Sequence, residues 1–278
     1  MNKNSLKLSI IINHHRTPNV LMICLDALEK ELKTVDYEII VTDSEAEEGT
    51  VSLISRNHPG VIYLGHRENV GFSGCVNPAL ARAKGEYIFI INADIILRNE
   101  KALIDMIGYL EKNKDAGVIG PKLLNIDDSI QQSYFREYTP LTVLARRTKF
   151  GETELGKKYL GRFSYKEKGG KLNKPFEVDW LMGSAFLTER NRFEKIGGKF
   201  DGRFFMYFED ADLCRRFREA GFKVVYYPLA EMTHYHFRAS AGGKGVLDIF
   251  DNWLTRVHIA SYFKYLWKWK VEKCFKKS

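Results

Sequence analysis

Apolar residues fall into short dense runs, separated by longer segments where they return every three or four positions. Leu8–Ile12, Tyr37–Val41, Val61–Leu64 and Tyr87–Ile91 are runs of mostly successive apolar residues, the pattern of strands buried on both faces. Between them, Val20–Leu32 has helical spacing (Val20, Ile23, Ala27, Leu28), with Pro18 near its start. Val51–Ser55 fits a helix, Gly71–Ala83 a loop entering a helix closed by Gly85, and Ala102–Lys112 a further amphipathic helix. This alternation predicts an α/β fold: an open, mostly parallel twisted sheet flanked by helices. In such sheets ligands bind beyond the carboxyl ends of the strands. The polar clusters Asn13-His14-His15, Asp43-Ser44 and Asn92-Ala93-Asp94 all fall at predicted strand ends.

The pattern then changes. Residues 131–175 are basic and weakly periodic, a long excursion carrying short helices. Phe176–Trp180 and Ser184–Thr188 read as strands around Gly183. The segment FFMYFEDADLCRRFREAGF, residues 204–222, places Glu209, Asp210 and Asp212 at the mouth of a helix whose buried face is Ala211, Leu213, Cys214, Phe217 and Ala220. Gly221 stops that helix, and Phe222–Tyr227 is a strand ended by Pro228. From Ile259 through Phe263 to Leu266 the spacing is helical again, with Tyr262, Tyr265, Trp267 and Trp269 alongside and lysines between.

A chain of 278 residues with 45% hydrophobic positions has material for one large core. No apolar run reaches 18 residues, so no transmembrane helix is expected, and the N-terminus lacks a signal-peptide pattern. Four scattered cysteines without CxxC spacing indicate neither zinc nor a disulfide framework and suit a reducing cytoplasm. The net charge of +8 is local: residues 253–278 hold seven basic side chains against Glu272 alone. That argues for an anionic surface met by the tail and against a nucleic-acid groove across the domain.

Several positions carry candidate chemistry. A carboxylate at the mouth of a core helix, such as Asp210, serves as a general base or as an acidic cap. Asp94 after a buried strand suits a divalent metal held against a diphosphate, although Asn and Asp also end strands routinely. The segment Glu68–Gly74 brings backbone amides toward a phosphate or ribose, but is neither GxGxxG nor a Walker loop. The first strand runs into NHHRTP, without glycine, which disfavours a dinucleotide dehydrogenase and a nucleotidyltransferase. His234 and His236 form a pair that is either structural or a metal ligand, and Trp180 is either a sugar-stacking platform or core.

Taken in order, LSIIINHHR, YEIIVTDSEAEEGT, ENVGFSGCVNPALARAKGEYIFIINADIIL, the stretch from VDWLMGSAFLTERN through FFMYFEDADLC to THYH, and FRAS resemble family 2 glycosyltransferases of the GT-A fold, closest to the rhamnosyltransferase-like branch. They cover most of residues 6–240. The resemblance implies a GT-A domain over 1–245, with a nucleotide-sugar half at 1–125 and an acceptor and catalytic half at 126–245. A basic amphipathic tail follows at 246–278. It implies Asp210 as base with Glu209 beside it, and Asn13, Asp43, Asn69, Gly71, Phe72, Asn77, Asn92 and Asp94 on the nucleotide-sugar. Trp180, Gly183, Ser184 and Asp212 fall where donor or acceptor sugar contacts are expected, and Asp94 and His234 where a Mg²⁺ or Mn²⁺ ion is held. Two departures stand out: His14-His15 where relatives often carry Tyr-Asn, and Ser44-Glu45-Ala46 for a more usual Asn-Ala-Ser. The implied activity is inverting transfer from a nucleotide-diphospho-sugar, dTDP-rhamnose favoured, to a glycan or lipid-linked oligosaccharide at the inner face of the cell membrane. UDP-galactose, UDP-galactofuranose and UDP-N-acetylglucosamine donors, an inactive carbohydrate-binding relative, and a homodimer or domain contact for the tail stay open.

Overall fold

A computed structural model describes residues 6–168, 173–235 and 252–272. The strands are β1 (Leu8–His15), β2 (Tyr37–Ser44), β3 (Ile62–Gly65), β4 (Tyr87–Asn92), β5 (Ile95–Leu97) and β6 (Ala116–Leu124). After them come β7 (Ile130–Gln131), β8 (Tyr134–Phe135), β9 (Phe176–Glu177), β10 (Trp180–Leu181), β11 (Ala185–Glu189) and β12 (Lys223–His234). The helices are α1 (Pro18–Glu31), α2 (Glu48–Asn57), α3 (Gly71–Arg82), α4 (Glu100–Lys112), α5 (Pro140–Arg147), α6 (Glu154–Phe163), α7 (Arg190–Lys195), α8 (Glu209–Glu219) and α9 (Trp253–Leu266).

The main sheet runs β3-β2-β1-β4-β11-β6-β12-β5. Its first four strands are parallel, as the alternation predicted, and β6 with β12 is a second parallel pair. Strand β11 enters antiparallel between β4 and β6, and β5 lies antiparallel on β12. Alternate strand residues feed two cores. Ile10, Ile12, Phe89 and Ile91 pack with Leu25 and Leu28 of α1 and Leu103 and Met106 of α4. Ile11, Ile88 and Ile90 face the other way, onto Val76 of α3, Phe193 of α7 and Phe217 of α8. Each such fully buried side chain contributes about 1.5–3 kcal/mol, which is why period-2 strands sandwiched by helices hold their register.

Three elements differ from the sequence reading. Strand β6 was hidden by Gly117, Gly120 and Pro121, which break strand propensity. A Cβ on Gly117 would meet the Phe217 ring at 2.4 Å, so close packing of α8 on the sheet demands the glycine there. Phe176–Trp180 is not one strand: β9 joins β12 in the main sheet, while β10 pairs with β8 in a separate two-stranded ribbon. Pro228 does not end β12. The register shifts between Tyr227 and Glu231, and the strand resumes to His234. A bulge is where a residue without an N–H is tolerated inside a strand.

The tail helix α9 lies on the domain with Thr255, Ser261, Tyr262 and Tyr265 buried. Phe263, expected on its apolar stripe, is 63% exposed. No described helix is long and apolar enough to cross a membrane.

Candidate active site

A cleft of about 390 Å³ opens over the carboxyl ends of β1, β2 and β4. Register explains why the polar clusters converge there: Asn13 sits opposite Thr42 and Asn92, and His15 opposite Ser44. Asn13, His15, Ser44, Asn92 and Asp94 line one side. Gly183, Ser184, Met206, Tyr207, Glu209 and Asp210 line the other.

The wall at the start of α3 depends on glycine. Gly71 has φ +70°, and a Cβ there would lie 2.1 Å from the Phe205 carbonyl oxygen. That carbonyl accepts from the Phe72 amide at 2.8 Å. Asn69 accepts through Oδ1 from the Gly71 amide at 3.0 Å and from the Ser44 hydroxyl at 3.2 Å, and so sets the loop that enters the helix.

Asp94 is reached from two directions. The Tyr235 amide donates to its backbone carbonyl at 2.7 Å, and His234 Nε2 lies 3.3 Å from Oδ2. His234 is 2% exposed and comes here only because β12 continues through its bulge to pair His234 with Ile95. Its Nδ1 meets Gln131 Oε1 at 2.6 Å. The contact with Gln131 fixes the ring with Nε2 turned toward the carboxylate, the kind of second partner that orients a metal-ligating histidine. Asn92 Oδ1 and Asp94 Oδ1 are shielded from solvent without a hydrogen-bond partner among the described residues. Unsatisfied hard oxygens beside an imidazole nitrogen fit a divalent cation. No group of three or more His, Cys, Asp or Glu suited to a metal occurs among the described residues, so these offer at most part of a coordination shell.

Opposite stands Asp210, in the first turn of α8. Oδ1 accepts from the Ala211 amide at 2.7 Å and Oδ2 from the Gly183 amide at 3.0 Å. Burial pushes its carboxyl up to about 6, and the backbone hydrogen bonds oppose that rise. Glu209 is driven well above the carboxylate range by burial and by the Asp210 charge beside it. The two neighbouring carboxyls are thus both raised, and Asp210, near 6, is poised to gain or lose a proton. The helix is entered through Tyr207 (φ +68°) and Phe208 (φ +67°), two successive non-glycine residues in the left-handed region. Each costs of order 1–3 kcal/mol and persists only where the surroundings over-determine it, a condition concentrated at functional sites.

Other expected positions lie elsewhere. Asp43 is 1% exposed, with Oδ1 2.7 Å from His14 Nδ1 and Oδ2 accepting from the Tyr63 hydroxyl at 2.6 Å. His14 accepts the Thr17 amide on Nε2, which leaves its Nδ1 facing Asp43. The carboxylate is thereby engaged beneath the cleft by Tyr63 and the His14 contact instead of lining it. Asn77 caps the Phe200 backbone on the far side of α3. Trp180 is a core residue stacked on Tyr138 at 5.4 Å, and Phe72 is half wall, half core, against Phe200. Asp212 is fully buried and held by Arg216, Lys268 and Trp269, facing away from the cleft. These three, Asn77, Trp180 and Asp212, belong to the framework because their side chains are consumed by packing or by partners within the chain. His236 and the FRAS segment lie outside the described residues. The sequence reading missed Gln131, whose two-residue strand has no periodicity, and the cleft residue Met206. His15 lines the cleft from the strand end where the sequence places it, and Tyr207 from the aromatic run before Asp210.

A family model described as glycosyl transferase family 2 matches residues 9–212. The N-acetylglucosaminyl-diphospho-decaprenol L-rhamnosyltransferase of Mycobacterium tuberculosis is 28% identical over 210 residues, 71% of this chain and 66% of that protein. The chain thus spans just under two thirds of that relative's length. Rhamnosyltransferase WbbL of Escherichia coli K12 is 26% identical over 239 residues, 83% of this chain and 82% of that protein. Among solved structures, GalNAc-T7 with UDP, GalNAc and Mn²⁺ superposes with a TM-score of 0.62 at 15% identity, over 84% of this chain and 45% of that one. The mannosyltransferase PcManGT of Pyrobaculum calidifontis, in complex with GDP-Man and Mn²⁺, does so with 0.57 at 16%, over 86% and 59%. Both likenesses are of fold, the GT-A arrangement. With the strand-end cleft and the acids of α8 inside the matched region, the chain belongs to glycosyl transferase family 2.

Proposed function

We propose that the chain is an inverting glycosyltransferase that moves a sugar, with dTDP-rhamnose as the favoured donor, to a hydroxyl of a bacterial surface polysaccharide or a lipid-linked oligosaccharide. The observation that carries this reading is Asp210, held by two amides in the cleft wall with its carboxyl near 6. As the acceptor oxygen forms its bond to the anomeric carbon, Asp210 takes the hydroxyl proton, and the bond from that carbon to the diphosphate breaks with its electron pair going to the phosphate oxygen. Attack from the Asp210 side, with departure toward Asp94, inverts the anomeric centre. Glu209 stands beside the base, its carboxyl raised by burial and by the Asp210 charge. Asn13, Asn69, Gly71, Phe72 and Asn92 contact the nucleotide-sugar, and Gly183 and Ser184 contact the sugar. Asp94 and His234 would hold a Mg²⁺ or Mn²⁺ ion, which when bound would supply Lewis-acid stabilisation of the leaving diphosphate. A positioned base contributes about 10²–10⁴ in rate.

The acceptor places the enzyme at the inner face of the membrane. Trp253, Phe263 and Trp267 are 47%, 63% and 60% exposed on α9 and its continuation, amid the basic residues of the tail. Aromatic and basic side chains together favour an anionic membrane interface. Hydrolysis of dTDP-rhamnose, UDP-galactose, UDP-galactofuranose and UDP-N-acetylglucosamine with Mg²⁺ or Mn²⁺ tests the activity. Turnover is expected for dTDP-rhamnose, and no turnover or binding of any sugar nucleotide would sink it. Flotation with anionic vesicles, with and without Trp253→Ala, Phe263→Ala and Trp267→Ala together, tests the membrane contact. Binding that does not depend on these residues counts against it.

A further inference from the structure

We propose that the C-terminal helix is an intramolecular strut that positions the base Asp210, with Lys268, Trp269 and Ser261 as its positioning residues. This deepens the transferase reading of the cleft and rests on it. The family match ends at residue 212, so α9 and the turns after it lie beyond the matched region.

The C-terminal segment meets the loop before the base along its whole length. Ser261 donates to the Met206 carbonyl at 2.8 Å, and Lys264 to the Arg203 carbonyl at 2.8 Å. Bonds to backbone carbonyls fix the path of the chain, not only its side chains. The Lys268 ammonium lies over the Phe204 ring, and Trp253 packs edge-on against Phe205. The ring of His258 lies 5.0 Å from Tyr207 and 5.2 Å from Phe208. Every residue from Arg203 to Phe208 therefore touches the C-terminal segment. Tyr207 and Phe208 are the two held in the left-handed region, where the surroundings must over-determine the backbone.

The same segment grips the first turn of α8 from below. Asp212, two residues past the base and fully buried, receives Lys268 Nζ on Oδ1 at 2.6 Å and Trp269 Nε1 at 2.9 Å. Lys268 also reaches Asp201 at 2.7 Å, tying the start of the loop to the helix at its end. On its opposite side the loop abuts the Gly71 turn through the Phe205 carbonyl, and Ser73 donates to the Phe204 carbonyl at 2.6 Å. The loop is thus held between the strut and the nucleotide-side wall, and Asp210 sits at its end. Small displacements of a reacting group, about 1 Å, lower rates by as much as 10².

The test uses the full chain with Ser261→Ala, Lys268→Met and Lys268→Arg, and dTDP-rhamnose hydrolysis as the probe. Ser261→Ala is expected to lower kcat about threefold and Lys268→Met about tenfold. Donor KM stays within about twofold in both, and Lys268→Arg recovers most of the loss. Hydrogen–deuterium exchange of residues 203–211 should rise several-fold in Ser261→Ala and more in Lys268→Met. Unchanged exchange and unchanged kcat in the folded variants would overturn the strut. If Lys268→Met does not fold, Ser261→Ala decides the matter. Exchange needs no substrate, so a wild-type chain that turns over no sugar nucleotide defeats the transferase reading while the strut is still judged.

Discussion

Replacing Asp210 with Asn should separate the two consequences of burying a carboxylate that must also ionise. In the folded chain the carboxyl is held up at about 6, against 3.8 for an ordinary aspartate. At 1.36 kcal/mol per unit, that shift corresponds to about 3 kcal/mol. A raised carboxyl stabilises the fold below the unfolded value and loses that stability as pH rises through the folded value. Ionised Asp210 therefore opposes folding at neutral pH and does not at pH 4. Asn carries no such dependence. It loses one acceptor, so either the Gly183 or the Ala211 amide faces an NH₂ group, at a cost of about 1 kcal/mol. Between pH 4 and 7.5 the stability difference should swing toward the variant by about 2 kcal/mol, allowing for the half-buried position. Glu209 adds in the same direction, because removing the Asp210 charge lowers its own carboxyl toward normal. Urea denaturation of both proteins across this range measures the swing, and donor hydrolysis measures the accompanying loss of about 10²–10⁴ in kcat. A stability difference independent of pH, or a swing toward wild type, would refute the poised base.

Wild-type kcat/KM should fall on acidification through about pH 6, as Asp210 gains its proton; a flat profile down to pH 5 would contradict that role. Asp94→Ala should raise the metal concentration needed for half-maximal donor turnover by tenfold or more, read by a Mn²⁺ titration, since only His234 stays as an implied protein ligand. In Gly183→Ala the new Cβ would lie 3.2 Å from Asp210 Cβ, so kcat should drop about tenfold with little change in Tm, measured in parallel. Gly71→Ala places a Cβ 2.1 Å from the Phe205 carbonyl at a positive φ; thermal denaturation should show a loss of about 2–4 kcal/mol, with weaker donor binding by calorimetry.

How much was legible beforehand depended on whether the signal was local. Strands β1 to β4 and their intervening helices are plain because each buried face repeats within a few residues. Strand β6 was not, since Gly117 and Gly120 answer to Phe217 and Leu181, residues far along the chain. The same division runs through the site. Asp210 and Asp94 are legible as acids at a helix mouth and a strand end. The contact of His234 with Asp94 depends on a bulge at Pro228 that no local pattern announces.

The amino-acid order by itself determined the α/β layering, the convergence of polar strand ends, and Asp210 and Asp94 as candidate acids, because periodicity and strand termini are properties of neighbouring residues. Only the tertiary structure decided which polar groups still face the cleft. Asp43 and Asp212 are as acidic in sequence as Asp210, yet His14 and Tyr63 occupy the first, and Arg216, Lys268 and Trp269 the second. Asp210 takes only two backbone amides and still lines the cleft, whereas the partners of Asp43 and Asp212 turn those carboxylates into the fold and out of the cleft lining; such pairing over long sequence separations appears only when the chain has closed on itself.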